Sequence, residues 1–173
     1  MAIKKIILEP NKLLRKVSKP IKKIGKVEQT LMDDMLETMY SANGIGLAAV
    51  QIGVPKNIVV IDLNKNNKKS PIFFINPIIV KKSIELLKYE EGCLSIPNLF
   101  AEIERPSSCE VEYLDYFGEK KLLKASGLLA TCIQHEIDHL NGVLFIDHLS
   151  KLKKNIILKK LSKQRLENKR LVI

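Results

Sequence analysis

The stretch SGLLATCIQHEIDHLNG, from Ser126 to Gly142, decides how the chain is read. Leu128, Leu129, Ala130, Ile133, Ile137 and Leu140 recur at helical spacing, and the closing Asn141-Gly142 pair suits a left-handed cap. So apolar a helix is expected to be buried. Residues four apart on a helix share a face, one turn above each other, so His135 and His139 can offer imidazole nitrogens to one ion. Glu136 stands one step around the helix, where a general base for a reacting water is needed, as in the H-E-x-x-H motif. The bland alternative is two histidines satisfied in a core or solvated on a surface. It loses ground because the chain has only three histidines, two of them here, in a segment where unpaired polar groups are costly.

A catalytic tetrahedral site keeps three protein ligands and one open position, so one more ligand is required. A metzincin would place a third histidine three residues after Gly142, but that residue is Phe145. His148 lies past the cap among packing residues and reads as structural. Cys132 would crowd three ligands onto two turns of one helix and is better read as a small core residue. Cys109 alternates with Val111 and Tyr113 on the apolar face of a strand. Cys93 remains, in YEEGCLSIPN, behind Gly92 and the carboxylates of Glu90 and Glu91. Negative neighbours would raise the pKa of a nucleophilic thiol, whereas a metal deprotonates its thiol regardless. Cys93 is therefore expected to be a ligand, with one glutamate orienting another group.

The segment GIGLAAVQIG (Gly44 to Gly53) matches the dinucleotide pattern G-x-G-x-x-A, with Asp62 following. That fingerprint needs a strand before the glycines and a helix after them. Here a helical pattern ends at Ala42 and a strand begins near Asn57, so nucleotide binding is rejected. The expectation is a loop whose glycines let backbone approach a ligand, with Gln51 as an amide donor suited to a developing oxyanion.

At 173 residues the chain suits one domain, and its composition, 46% hydrophobic and 28% charged, is that of a globular protein. Neither a signal peptide nor a membrane span is read at MAIKKIILEPNKLL, and three cysteines make no disulfide framework, so a cytoplasmic protein with reduced thiols is expected. The net charge of +10 is uneven: residues 1–26 and 149–173 each carry nine Lys/Arg against one Glu, and residues 27–148 carry a net −6. A body of that sign argues against nucleic-acid binding through the main domain. Helical periodicity runs over VEQTLMDDMLETMYSA (Val27 to Ala42), where a methionine stripe reads as core. NIVVIDL (Asn57 to Leu63) reads as a strand. PIFFINPIIV (Pro71 to Val80) reads as one or two strands, interrupted at Pro77 and so not a regular central strand. CEVEYLDYFGEKKLL reads as an antiparallel hairpin, and a basic helix starts at an N-cap on Ser150. The fold class is α+β: antiparallel or mixed β-sheets around a central metal-binding helix, with N-terminal helices and a C-terminal basic helix. Residues 1–148 are expected to form one catalytic domain and residues 149–173 the basic helix, packed on that domain through Leu149, Leu152 and Ile156 or extending from it.

GIGLAAVQ, EGCLS and QHEIDH, in this order, resemble the three signature motifs of the peptide deformylases, bacterial type. The N-terminal PNKLLRKVSKPI, the LMDDMLETMY helix and the basic tail are similar too, so the resemblance covers nearly the whole chain. It implies a metal-dependent hydrolase that removes formate from the N-formylmethionine of newly made polypeptides. It implies one divalent ion on Cys93, His135 and His139, with Fe2+ the expected ion and Ni2+, Co2+ or Zn2+ as substitutes. It implies Glu136 as general base, and Gln51 with the backbone N–H of Leu94 as donors to the oxyanion. Gly46 would lie beside the substrate backbone, Ile45 and Cys132 near the methionine side chain, and Glu91 behind a ligand. One departure is visible: many bacterial members carry an arginine shortly after the EGCLSxP segment, whereas Asn98, Leu99 and Phe100 stand here and Arg105 is further on.

The expected partners are formylmethionyl nascent chains, with a ribosome contact through the basic helix, no membrane, and a monomeric chain. Two alternatives stand beside this reading. A general H-E-x-x-H metallopeptidase is opposed by Phe145, and a non-catalytic ribosome-associated remnant by the joint presence of Glu136, Gln51 and Cys93.

Overall fold

The computed structural model describes residues 2–64 and 68–170, with side chains up to Glu167. Three α-helices occur in it: α1 (Lys26–Ser41), α2 (Gly127–Leu140) and α3 (Lys151–Arg170). Seven strands accompany them: β1 (Gly46–Ala48), β2 (Ile58–Ile61), β3 (Ile72–Lys82), β4 (Leu86–Cys93), β5 (Ile96–Pro106), β6 (Ser108–Leu114) and β7 (Lys120–Ser126). The main sheet has the order β1-β2-β3-β6-β7, and β4 with β5 forms a separate hairpin. Every strand pair is antiparallel, as an α+β chain with short connections favours.

Helix α1 starts where the Glu28 carboxylate accepts the Gly25 N–H at 3.2 Å. Its stripe of Met32, Met35 and Met39 is fully buried against Leu47, Ile58, Val60 and Ile75, so methionine serves as core here. The N-terminal helices expected from sequence amount to α1 and a single 3-10 turn over Lys12–Arg15.

Where the sequence left one strand or two open, β3 is a single strand, and the irregularity expected at Pro77 lies within it. The strand runs in the middle of the main sheet, although it contains Pro77. The register slips between Ile75 and Ile78, and Asn76 takes a φ of 51°. The Asn76 side chain accepts the Ile21 N–H at 2.7 Å and donates to the Ile21 carbonyl at 2.8 Å. The irregularity removes the need for a ladder N–H at residue 77, which is how a central strand tolerates proline.

Helix α2 touches strands of both sheets. On one side Ala130, Cys132, Ile133 and Leu140 share a core with Val59, Phe74, Cys109 and Val111. On the other, Leu14, Ile96, Ile103, Leu144, Phe145 and Ile146 form a second core. The C-terminal helix joins that second core through Ile157 and Leu161, at 8% and 3% exposure, with Leu149 and Leu158 partly buried beside them. Of the three expected contacts Leu149 packs there, whereas Leu152 and Ile156 are 72% and 45% exposed. Which face of α3 packs on the body was not legible from periodicity. Among the described residues no helix is long and apolar enough to cross a membrane.

Candidate metal centre and active site

The site lies where α2 passes under the β4–β5 turn and the Gly44–Gln51 segment. His135, Glu136 and His139 are 8%, 5% and 0% exposed. The two imidazoles meet edge to face, with centroids 4.9 Å apart. Strand β4 ends at Cys93, whose Sγ is 3.2 Å from His139 Nε2. One donor atom from each of Cys93, His135 and His139 lies within 4.8 Å of the others, so the three can hold one ion. A soft thiolate with two imidazoles suits a borderline transition metal.

One of the three donors, His135, is oriented from behind. His135 Nδ1 meets Glu91 Oε2 at 2.9 Å, which leaves Nε2 for a metal. Glu91 is held in turn by Arg105, whose Nε and Nη2 donate to it at 2.5 and 3.0 Å. Arg105 Nη1 donates to Asp138 at 2.8 Å, and His148 Nε2 meets the same Asp138 oxygen at 2.7 Å. Burial works against a charged Glu91, but contacts with His135 and Arg105 outweigh it and keep the carboxyl below its usual range. His139 is driven well below the ordinary imidazole range, first by burial and then by His135, so its ring is neutral as a ligand must be. Phe145, at the position a metzincin would give to a third histidine, stacks on His135 with centroids 6.3 Å apart.

Burial, with the charge on Glu91 adding to it and His135 opposing, raises the Glu136 carboxyl to about 7. Its Oε2 has no hydrogen-bond partner although it is buried, and neither has His139 Nδ1. An orphaned carboxylate oxygen beside three metal donors fits a site built for an ion and a reacting molecule. Burial pushes the Cys132 thiol up to about 12, so it stays protonated and inert.

Gln51 faces the ligands from a 3-10 turn over Ala49–Ile52. Its Oε1 accepts the Ala48 N–H at 2.8 Å, which fixes the amide orientation. Its Nε2 donates to Ser95 Oγ at 3.1 Å and points toward Cys93 Sγ at 3.5 Å. Ile45, Gly46, Glu91, Leu94 and Cys132 share with these groups a cavity of about 770 Å3. Of the residues expected from the sequence to form the site, only His139 does not line that cavity; it is fully buried against Cys93.

Sequence reasoning missed Ser95, Asp138 and the role of Arg105. Arg105 is 5% exposed and fully engaged by carboxylates, so it is not available to a substrate. Ser95 sits inside the quoted EGCLS stretch, but only the fold shows that its hydroxyl holds Gln51.

A family model described as polypeptide deformylase matches residues 3–155. The chain belongs to the polypeptide deformylase family. It is 66% identical to a peptide deformylase of Pelagibacter ubique over 94% of this chain and 95% of that one. It is 55% identical to a peptide deformylase of Rhizobium meliloti, with 94% of each chain covered. Among solved structures, the peptide deformylase of Ehrlichia chaffeensis in complex with actinonin superposes with a TM-score of 0.91 at 43% identity, covering 95% of this chain and 98% of that one. The deformylase of Legionella pneumophila gives 0.91 at 45% identity, covering 96% and 98%. These likenesses span both sheets and α2, so the site sits on a deformylase scaffold.

Proposed function

We propose that the protein hydrolyses the formyl amide at the N-terminal formylmethionine of newly made polypeptides, releasing formate. The observation that carries this is the unpartnered Glu136 Oε2, buried in one cavity with three metal donors and the Gln51 amide. Cys93, His135 and His139 would hold a divalent ion, Fe2+ in our reading, with Ni2+, Co2+ or Zn2+ able to replace it. Such an ion polarises a carbonyl oxygen and lowers the pKa of water from about 15.7 to about 7.

Glu136 takes a proton from the attacking water as its oxygen bonds to the formyl carbon. Gln51 Nε2 and the Leu94 N–H donate to the formyl oxygen as it gains charge. Glu136 then returns the proton to the amide nitrogen, the C–N bond breaks, and formate and a free α-amine leave. Gly46 lies along the substrate backbone, and Ile45 and Cys132 border the methionine side chain. Glu91 holds the His135 ring, with Arg105 behind it.

We further propose that residues 1–148 are the catalytic unit and residues 149–173 an appended helix. In this reading the chain acts as a monomer in the cytoplasm. The exposed lysines of α3 would meet ribosomal RNA, a contact that must weaken as salt rises. The formyl group is the smallest acyl group, so a cavity closed around Glu136 and Gln51 should reject larger ones. Turnover of a formyl-methionyl peptide without turnover of its acetyl counterpart is the expected result. Comparable cleavage of both would point to a broader amidase.

A further inference from the structure

One short segment, Ile7 to Glu9, crosses between the two groups assigned to the oxyanion. The Ile7 N–H donates to the Gln51 carbonyl at 2.7 Å, and the Glu9 N–H donates to the Ser95 carbonyl at 3.0 Å. Ser95 shares the two-residue β4–β5 turn with Leu94, since Cys93 pairs with Ile96 across it. The same turn is tied to Gln51 a second time, through the 3.1 Å bond from Gln51 Nε2 to Ser95 Oγ. The segment is a strap that joins the backbone under the Gln51 amide to the backbone beside the Leu94 N–H. A shift of the strap therefore changes the spacing of the two donors.

Helix α3 fastens this strap from outside. Ile157 and Leu161 are buried in the second core, and Ile7 and Cys93 pack against that same core. Arg165 falls one turn beyond Leu161 on the same helical face. Its Nη1 donates to the Glu9 carbonyl at 3.1 Å. Both backbone groups of Glu9 are thus engaged, the N–H by the β4–β5 turn and the carbonyl by α3. Glu9 is 8% exposed, with Arg15 Nη2 3.4 Å from its carboxylate. A planar guanidinium presents its donors in a fixed fork, so it can hold a carbonyl in one place.

We propose that Arg165 is a positioning residue for the reaction. By clamping the Glu9 carbonyl it holds the strap, and through the strap it sets the spacing of the Gln51 and Leu94 donors around the formyl oxygen. It touches no substrate and adds no catalytic group to residues 1–148. Such donors act on charge that develops in the transition state, so a loosened spacing lowers kcat and leaves KM nearly unchanged. The inference rests on the deformylase reading and adds a positioning residue to it.

The test measures formate release from formyl-Met-Ala-Ser by the Fe2+-loaded full chain, well below the melting temperature, for wild type, Arg165→Met and Arg165→Lys. Methionine keeps an apolar stem and loses the donors, whereas lysine keeps one donor. Removing an oxyanion donor outright costs about 10²–10³ in kcat, so a displaced pair should cost less. Arg165→Met is expected to lose about tenfold in kcat, with KM within about twofold and metal content unchanged, and Arg165→Lys to recover most of that loss. In a Gln51→Ala background, where one donor is already gone, Arg165→Met should cost about threefold or less. An Arg165→Met enzyme that melts earlier but keeps the wild-type kcat while folded would overturn the proposal. So would equal losses with and without Gln51. Release by wild type and variants alike removes this inference alone, whereas no release from the wild type removes the deformylase reading and this inference with it.

Discussion

Gly46 leaves the space that Glu136 occupies: a Cβ at residue 46 would stand 2.5 Å from Glu136 Oε1 and 2.9 Å from its Cδ. Gly46 pairs with Ile61 in the main sheet, so the backbone cannot retreat freely. Glu136 would have to move instead. Gly46→Ala is expected to lower kcat about 100-fold or more, the scale of a misplaced general base, with metal content unchanged. Formate release alongside metal analysis checks this, and a fully active Gly46→Ala enzyme would show that the contact does not position the carboxylate.

Arg105 binds two carboxylates, Glu91 and Asp138, from a nearly dry position. Removing it leaves buried negative charge unpaired beside His135. Arg105→Ala is expected to cost about 3–5 kcal/mol in stability and to weaken metal affinity by about 10–100-fold. Urea denaturation and chelator competition measure the two effects separately.

Asp147 ties three segments together. It pairs with Arg15 and with Lys154, and accepts the Leu144 N–H at 2.8 Å. Burial opposes its charge, but Lys154, the Leu144 N–H and Arg15 together hold its carboxyl below the usual range. A lowered folded pKa gives stability that is present above the unfolded value of about 3.9 and is lost as pH falls through the folded value. Asp147→Asn should therefore destabilise the protein by about 1 kcal/mol at pH 7, and the difference from wild type should vanish in strong acid. Denaturation midpoints at several pH values read this out, and a difference that grows on acidification would contradict the sign.

The rotation of α3 makes a simpler prediction. Leu161→Ala should destabilise by about 2–3 kcal/mol because Leu161 is 3% exposed, whereas Leu152→Ala should stay within about 0.5 kcal/mol. Thermal denaturation of the two variants distinguishes the observed packing from the one read off the sequence.

Local pattern made part of this molecule readable in advance. His135, Glu136 and His139 lie on one helix, and helical spacing alone brings them together. Cys93 stood out as the thiol without a packing role, and the fold sets its Sγ 3.2 Å from His139 Nε2. The α+β class and the β6–β7 hairpin followed from alternation and turn residues in the same way. What stayed hidden depends on partners distant in sequence. Pro77 argued against a regular central strand, but that the strand is single and central depends on Ile21 engaging the neighbouring Asn76. Arg105 was visible only as an arginine beyond the EGCLSxP segment, and its engagement by Glu91 and Asp138 needs the fold. Ser95 had no visible role until Gln51 came within reach from 44 residues away.

The most direct test of the central claim is formate release from a formyl-methionyl peptide by protein purified without oxygen and loaded with Fe2+, beside Glu136→Gln prepared identically. Rapid release by the wild type is expected, with a loss of about 100-fold or more in the variant and one ion still bound per chain. No release from the folded, metal-loaded wild type, or undiminished release by Glu136→Gln, would contradict the deformylase reading and the role of Glu136 within it.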